Sequence, residues 1–237
     1  MMRKHEISGQ FTGATWVLII AVPVIYFLPK EIEAYALVHT EDESNLLAKL
    51  NRETWAKVMT PRMLSGHLQG RVLSMFSKMI SPKNILEIGT YTGYSALCMA
   101  EGLGAKGQLH TIECNEEASQ FAKKYFDQSE YKEKIIQHLG DAMGIISSLE
   151  VEFQMVFIDA DKENYSHYFD LVFDKLSVGG YIIADNVLWS GKVVEAVQDQ
   201  ETKALVAYSK KVQQDKRVEN MLMPIRDGLM ICRKLSS

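Results

Sequence analysis

The chain has 237 residues, 47% of them hydrophobic and 24% charged, a globular mix with room for one large α/β domain and a substantial core. A formal net charge of −4 excludes nucleic-acid binding driven by overall charge and leaves only a local patch as a route to it. Three cysteines, Cys98, Cys114 and Cys232, show no Cys-x-x-Cys spacing, and an odd, scattered set fits a reducing compartment and buried structural thiols.

Residues 1–30 form a hydrophobic N-terminal extension. Met1 to His5 is basic, and Phe11 to Leu28 is nearly all apolar, interrupted by Gly13 and Pro23. A spanning helix needs about 20 apolar residues, so residues 11–28 are a marginal membrane segment. Ala34-Tyr-Ala36 loosely resembles a signal cleavage site, but Glu31 and Glu33 make it a poor one. Arg3 and Lys4 would stay inside under the positive-inside rule and carry the following domain outward. An anchor, a signal segment and a non-native extension all remain open, with an anchor or extension outside the main fold preferred.

Residues 31–237 read as a single domain with a helical lead-in over 31–80. The chain looks helical from Glu31. Thr40-Glu-Asp-Glu43 is a capping-box pattern that would open a helix through about Val58, with Leu46, Leu47, Leu50 and Trp55 on its apolar side. Pro61 breaks that pattern. A second amphipathic helix is predicted over 65–80, with Leu68, Val72, Met75, Phe76 and Met79 as core positions. Strands are then predicted at 84–89, 108–113, 134–139, 154–159 and 180–186. Helices lie between them near 93–103, 116–128, 143–149 and 164–176. This alternation predicts a doubly wound, Rossmann-like α/β fold with a parallel sheet. A polar helix follows near 199–215. Strands 218–223 and 228–233 would add an antiparallel hairpin at the sheet edge.

The first strand ends in Glu87-Ile-Gly89, and Gly93 follows just before a helix. Glycine serves where the backbone takes positive φ or a ligand approaches closely, and the helix start offers free N–H groups. A Gly-x-x-x-Gly turn alone is weak. The second strand, however, ends in the acid Glu113, about 20 positions past that turn, where it can accept from ribose hydroxyls. The Gly-x-Gly-x-x-Gly spacing of dinucleotide enzymes is missing. A nucleoside cofactor without phosphates, such as S-adenosylmethionine, therefore fits best. Glu87 lies inside an apolar run and needs donors, of which a cofactor ammonium is one candidate.

Ligands of open α/β sheets gather at the carboxyl ends of the strands. Those ends carry Gly140-Asp-Ala142, Asp159-Ala-Asp-Lys162 and Asp185-Asn186. Two carboxylates and an amide, Asp159, Asp185 and Asn186, are hard oxygen donors that suit Mg²⁺, Mn²⁺ or Ca²⁺ rather than zinc. Taken singly, such an Asp more often caps a helix and Asp-Asn more often makes a turn. Both groups ending strands at one rim shift the balance to a metal. Lys162 reads either as a solvated lysine opening a helix or as a general base. His110, His138 and His167 have no metal spacing and read as structural. Met63 reads as core or as a cofactor contact.

Leu86-Glu-Ile-Gly-Thr-Tyr-Thr-Gly-Tyr-Ser95, Thr111-Ile-Glu113, Gly140-Asp-Ala142, Val156-Phe-Ile-Asp-Ala-Asp-Lys162, Ala184-Asp-Asn-Val-Leu-Trp189 and Arg226-Asp-Gly-Leu229 run in order over residues 31–237. Together they resemble the cation-dependent O-methyltransferases, the family of catechol and caffeoyl-CoA O-methyltransferases. The resemblance implies the class I methyltransferase fold, with a mostly parallel seven-stranded sheet. It implies that Met63, Glu87, Gly89, Tyr91 and Ser95 hold the methionine half of S-adenosylmethionine. Glu113 would bind its ribose, and Asp141 and Ala142 would lie against adenine. Asp159, Asp185 and Asn186 would hold the cation, with Asp159 also near the cofactor. Lys162 would take the substrate proton, and Trp189 and Asp227 would border the acceptor pocket. Catechol methyltransferase carries His-Trp after its first metal Asp, where this chain has Ala160-Asp161, as in the plant and bacterial branches. The implied acceptor is a small phenolic vicinal diol, the implied assembly a homodimer, and the implied location cytoplasmic, with membrane contact only through 11–28. One alternative keeps the fold and methylates a hydroxylated tRNA nucleoside, using Lys210, Lys211, Lys216 and Arg217 as a basic patch. A non-catalytic cofactor-binding protein is another.

Overall fold

A computed structural model describes residues 29–237, so the predictions for residues 1–28 lie outside it. Among the described residues no helix is long and apolar enough to cross a membrane.

Three helices lead in: α1 (Lys30–Val38), α2 (Asn45–Lys57) and α3 (Gly66–Ile80). Strands and helices then alternate as β1 (Asn84–Ile88), α4 (Tyr94–Ala100), β2 (Gln108–Glu113), α5 (Glu116–Phe126), β3 (Ile135–Leu139), α6 (Ala142–Ser148), β4 (Phe153–Ile158), α7 (Tyr165–Phe173) and β5 (Leu176–Ala184). Helix α8 (Gln200–Gln214) and strands β6 (Val218–Met223) and β7 (Leu229–Lys234) complete the chain. The sheet has seven strands in the order β3-β2-β1-β4-β5-β7-β6. The first five are parallel, and β7 pairs antiparallel with both β5 and β6. This is the expected mostly parallel sheet with an antiparallel C-terminal hairpin.

The central strands are apolar on both faces because helices cover both. In β4, Val156 and Ile158 face α7 and α8 through Phe169, Val172, Leu205 and Tyr208. Met155 and Phe157 face the lead-in and α4 through Leu73, Leu97 and Leu50. Each fully buried side chain of this size contributes about 1.5–3 kcal/mol, so the two cores fix the strand ends that carry the polar residues.

Three expectations for the lead-in fail. The residue that caps α2 is Ser44, whose hydroxyl accepts from the Leu47 N–H. Thr40 instead donates to the Ala36 carbonyl, and Glu43 accepts from Asn51 and Tyr94. Trp55 is exposed, as are Met75 and Met79, which lie off the packed face. The face that α3 buries is Gln69, Gly70, Leu73, Ser74 and Ser77. Small residues win there because α3 runs close to α4. A Cβ on Gly70 would meet the Tyr94 ring at 2.5 Å and the Cys98 sulfur at 2.8 Å.

Candidate active site

The strand ends open into one cavity of about 1220 Å³. Its floor is the turn after β1. Gly89 has φ +102°, and its N–H and that of Thr90 both donate to the Ile112 carbonyl. A Cβ on Gly89 would lie 2.0 Å from the Asp159 carbonyl oxygen, so only glycine lets the turns after β1 and β4 meet. Tyr91, at φ +49°, donates its backbone N–H to the Glu113 carboxylate at 2.7 Å. Glu113 also accepts from the Asn115 N–H at 2.9 Å. A carboxylate held this way keeps lone pairs for a hydroxyl ligand. The Tyr91 hydroxyl donates to the Thr60 carbonyl and ties the floor to the 58–64 segment, which brings the exposed Met63 to the wall. Asp141 and Ala142 complete this half, with Asp141 capping α6 by accepting from the Gly144 N–H.

Glu87 and Ser95 lie one layer lower and are not part of the wall. The fully buried Glu87 accepts from the Ser95 and Thr111 hydroxyls, donors that the apolar run concealed. Burial is the main cause that pushes its carboxyl up to about 8, with Asp159 and Glu113 adding to it against those hydrogen bonds. The folded chain thus holds this proton more tightly than the unfolded chain, where the ordinary value is 4.5. Its stabilising contribution is full below that value and is lost as pH rises through about 8. Glu87→Gln should flatten this loss: between pH 5 and pH 9 the melting temperature of the ligand-free variant falls less than that of the parent. Parallel melting profiles would assign the loss to another group.

The opposite half of the cavity holds the reactive groups. Asp159 directly follows β4, and Lys162 comes after it in a 3₁₀ turn over Lys162–Asn164. The Lys162 side chain is 8% exposed, and its Nζ donates to Asp159 at 3.0 Å and to the Tyr165 hydroxyl at 2.8 Å. The buried Tyr165 hydroxyl donates in turn to the Asp185 carbonyl at 3.1 Å. Asp185 ends β5, nearly buried. Burial first and the Asp159 charge second push its carboxyl up to about 7. Asn186 has φ +59° and lies at the cavity wall, where its amide oxygen is a hard donor of the kind a divalent metal takes. Trp189 and Ser190 are left-handed as well, at φ +45° and +53°, a strain that marks functional loops. Among the described residues the Trp189 indole N–H, buried at the wall, has no acceptor.

Two carboxylates beside an amide, one of them Asp185 with the Asp159 charge opposing its ionisation, fit a divalent cation, which relieves that opposition. Among the described residues no group of three or more His, Cys, Asp or Glu gathers, because the third donor here is an amide. Asp159, Lys162, Asp185 and Asn186 all reach the wall, as the strand-end reading expects, and so do Trp189 and Asp227, which the resemblance adds. Sequence reasoning missed two side chains behind it. Tyr165 holds Lys162. Gln69, from α3, donates to Asp185 across 116 residues of sequence. Of the basic cluster, Lys211 pairs with Asp170 and Arg217 with Asp215. His110 and His138 stack on each other away from the wall.

Comparison with known proteins agrees with this geometry. Residues 37–235 match the family model described as O-methyltransferase. Caffeoyl-CoA O-methyltransferase 2 of Eucalyptus globulus is 33% identical over 199 residues, covering 78% of this chain and 80% of that protein. Caffeoyl-CoA O-methyltransferase 1 of Arabidopsis thaliana is 32% identical over 199 residues, covering 78% and 76%. Among solved structures, the SAH-bound methyltransferase PaMTH1 of Podospora anserina superposes with a TM-score of 0.81 at 26% identity, covering 87% of this chain and 95% of that one. The chain belongs to the O-methyltransferase family, alongside the caffeoyl-CoA O-methyltransferases.

Proposed function

We propose that the chain transfers the methyl group of S-adenosylmethionine to one hydroxyl of a small catechol-like vicinal diol, with a divalent cation held by Asp159, Asp185 and Asn186. The observation that carries this reading is the convergence of those three residues and Lys162 on one wall of the cavity whose other half is the Gly89 turn and Glu113. The SAH-bound state of the Podospora relative supports the donor, and the names of the plant relatives support an aromatic diol.

A bound cation would supply Lewis acidity that lowers the pKa of a chelated hydroxyl. S-adenosylmethionine supplies an electrophilic methyl on sulfur. The rest of the work falls to side chains. Lys162 takes the proton from the acceptor hydroxyl, a contribution of about 10²–10⁴ in rate for such transfers. Asp159 and Tyr165 hold that amine in place. The acceptor oxygen then forms the O–C bond as the C–S bond breaks, leaving S-adenosylhomocysteine. Glu113 and Tyr91 fix the donor half, so that the protein contributes by holding the reacting atoms close and in line. Trp189, with its unpaired N–H, borders the acceptor.

Methyl transfer from labelled S-adenosylmethionine to a panel of catechols and caffeoyl esters, with Mg²⁺ and with EDTA, tests the reading. Activity on a diol should vanish in EDTA and return with Mg²⁺. Turnover that persists undiminished in EDTA would sink the cation role, and no transfer to any diol by a chain that still binds the donor would sink the acceptor class.

A further inference from the structure

We infer that Gln69 is the positioning residue for Asp185, holding that carboxylate in the orientation a divalent cation needs. The inference rests on the cation reading above. Both oxygens of Asp185 are engaged from the protein side. One accepts the Asn186 backbone N–H at 2.7 Å, and the other accepts from the Gln69 side-chain nitrogen at 2.6 Å. With both oxygens held, the carboxylate plane is fixed, and each oxygen keeps a lone pair for a further partner.

Gln69 is 1% exposed and does not reach the cavity itself. A primary amide buried in a helix seam is unfavourable unless its hydrogen bonds are made. The seam is built to make this one. Gly70, the next residue, has no Cβ to hold α3 off the Tyr94 ring and the Cys98 sulfur, and α3 therefore lies close enough for the amide to reach the end of β5. Neither the cavity floor nor the 58–64 segment needs this bond.

The chemistry of the donor matters as much as its place. Asp159 is held by the Lys162 side chain, which is itself part of the proposed chemistry. Asp185 is held by a neutral amide, which orients the carboxylate and leaves its full charge for a metal. Groups that orient metal ligands in this way typically change metal affinity 10–100-fold when removed.

The test is a Mn²⁺ titration of the full chain followed by electron paramagnetic resonance, with SAH affinity measured in parallel by calorimetry. Gln69→Met keeps the length and volume of the side chain and removes the donor. The expected result is Mn²⁺ binding weakened about 10–100-fold with SAH affinity unchanged within about twofold. Gln69→Asn, one methylene too short to reach, should weaken Mn²⁺ in the same direction and carries the test if the methionine variant does not fold. Mn²⁺ binding equal to the parent in either variant overturns the inference. So does an equal loss of Mn²⁺ and SAH affinity, which would make Gln69 merely structural. A parent chain that binds no Mn²⁺ overturns the cation reading, and this inference with it. The parent titration alone separates the two failures.

Discussion

Replacing Lys162 by methionine should lower the single-turnover rate of methyl transfer by about 10²–10⁴-fold while S-adenosylmethionine affinity changes little. The side chain is nearly buried between Asp159 and Tyr165, and methionine fills most of the same space. What disappears is, among the described residues, the only lysine amine placed at the wall beside Asp159 and Asp185. Lys162→Arg separates two roles that Lys162 combines. Arginine keeps a cation beside Asp159 but stays protonated and cannot accept a proton. If Lys162 acts as the base, both variants are slow. If it only balances the Asp159 charge, arginine restores the rate. Rapid quenching with enzyme in excess over labelled donor reads the chemical step directly, and an unchanged rate in Lys162→Met would remove this residue from the path of the proton.

Gly89→Ala is expected to damage fold and site together. At φ +102° an L side chain is strained by about 1–2 kcal/mol. The added methyl would also sit 2.0 Å from the Asp159 carbonyl oxygen and 2.7 Å from its carbon. Those atoms are backbone and cannot rotate aside, and overpacking of this kind costs about a further 1–3 kcal/mol. The strain falls on the turn that carries Asp159 and leads to Lys162. Chemical denaturation should show a loss of about 2–5 kcal/mol, the sum of those two effects, and calorimetry a collapse of S-adenosylmethionine binding. An alanine variant with the parent's denaturation midpoint and donor affinity would show that the two turns are free to separate.

The strand ends were legible because each is an apolar run stopped by a polar residue. Glu113, Asp159 and Asp185 all stand where a β-period pattern ends, and the sheet brings those ends to one rim. The lead-in was less legible. Met75 and Met79 recur at helical spacing, yet α3 turns Gly70, Ser74 and Ser77 inward, because close approach of two helices selects small residues over apolar ones. The partners of Glu87 were hidden for a related reason: hydroxyls of Ser95 and Thr111 satisfy it from inside the core, where a reading of the strand alone points to a ligand. Gln69 has no local signal at all. Only the tertiary fold brings an α3 amide to the end of β5. Tyr165 could have been found, since it lies three residues after Lys162 at the start of α7.

The two halves of the cavity are written differently along the chain. Beyond the 58–64 segment, the donor half comes from one continuous stretch, Gly89 to Ala142, in which each turn leans on the next. The acceptor half is collected from separate loops around Asp159–Lys162, Asp185–Trp189 and Arg226–Asp227. Arg226 reaches back to the Leu64 carbonyl, and the backbone N–H groups of Val187, Leu188 and Ser190 bond the Asp227–Gly228 turn, so hydrogen bonds between loops tie this half together. Such an arrangement is modular. The loops of that half can diverge, and with them the choice of acceptor, while the methyl-donor cradle stays as it is.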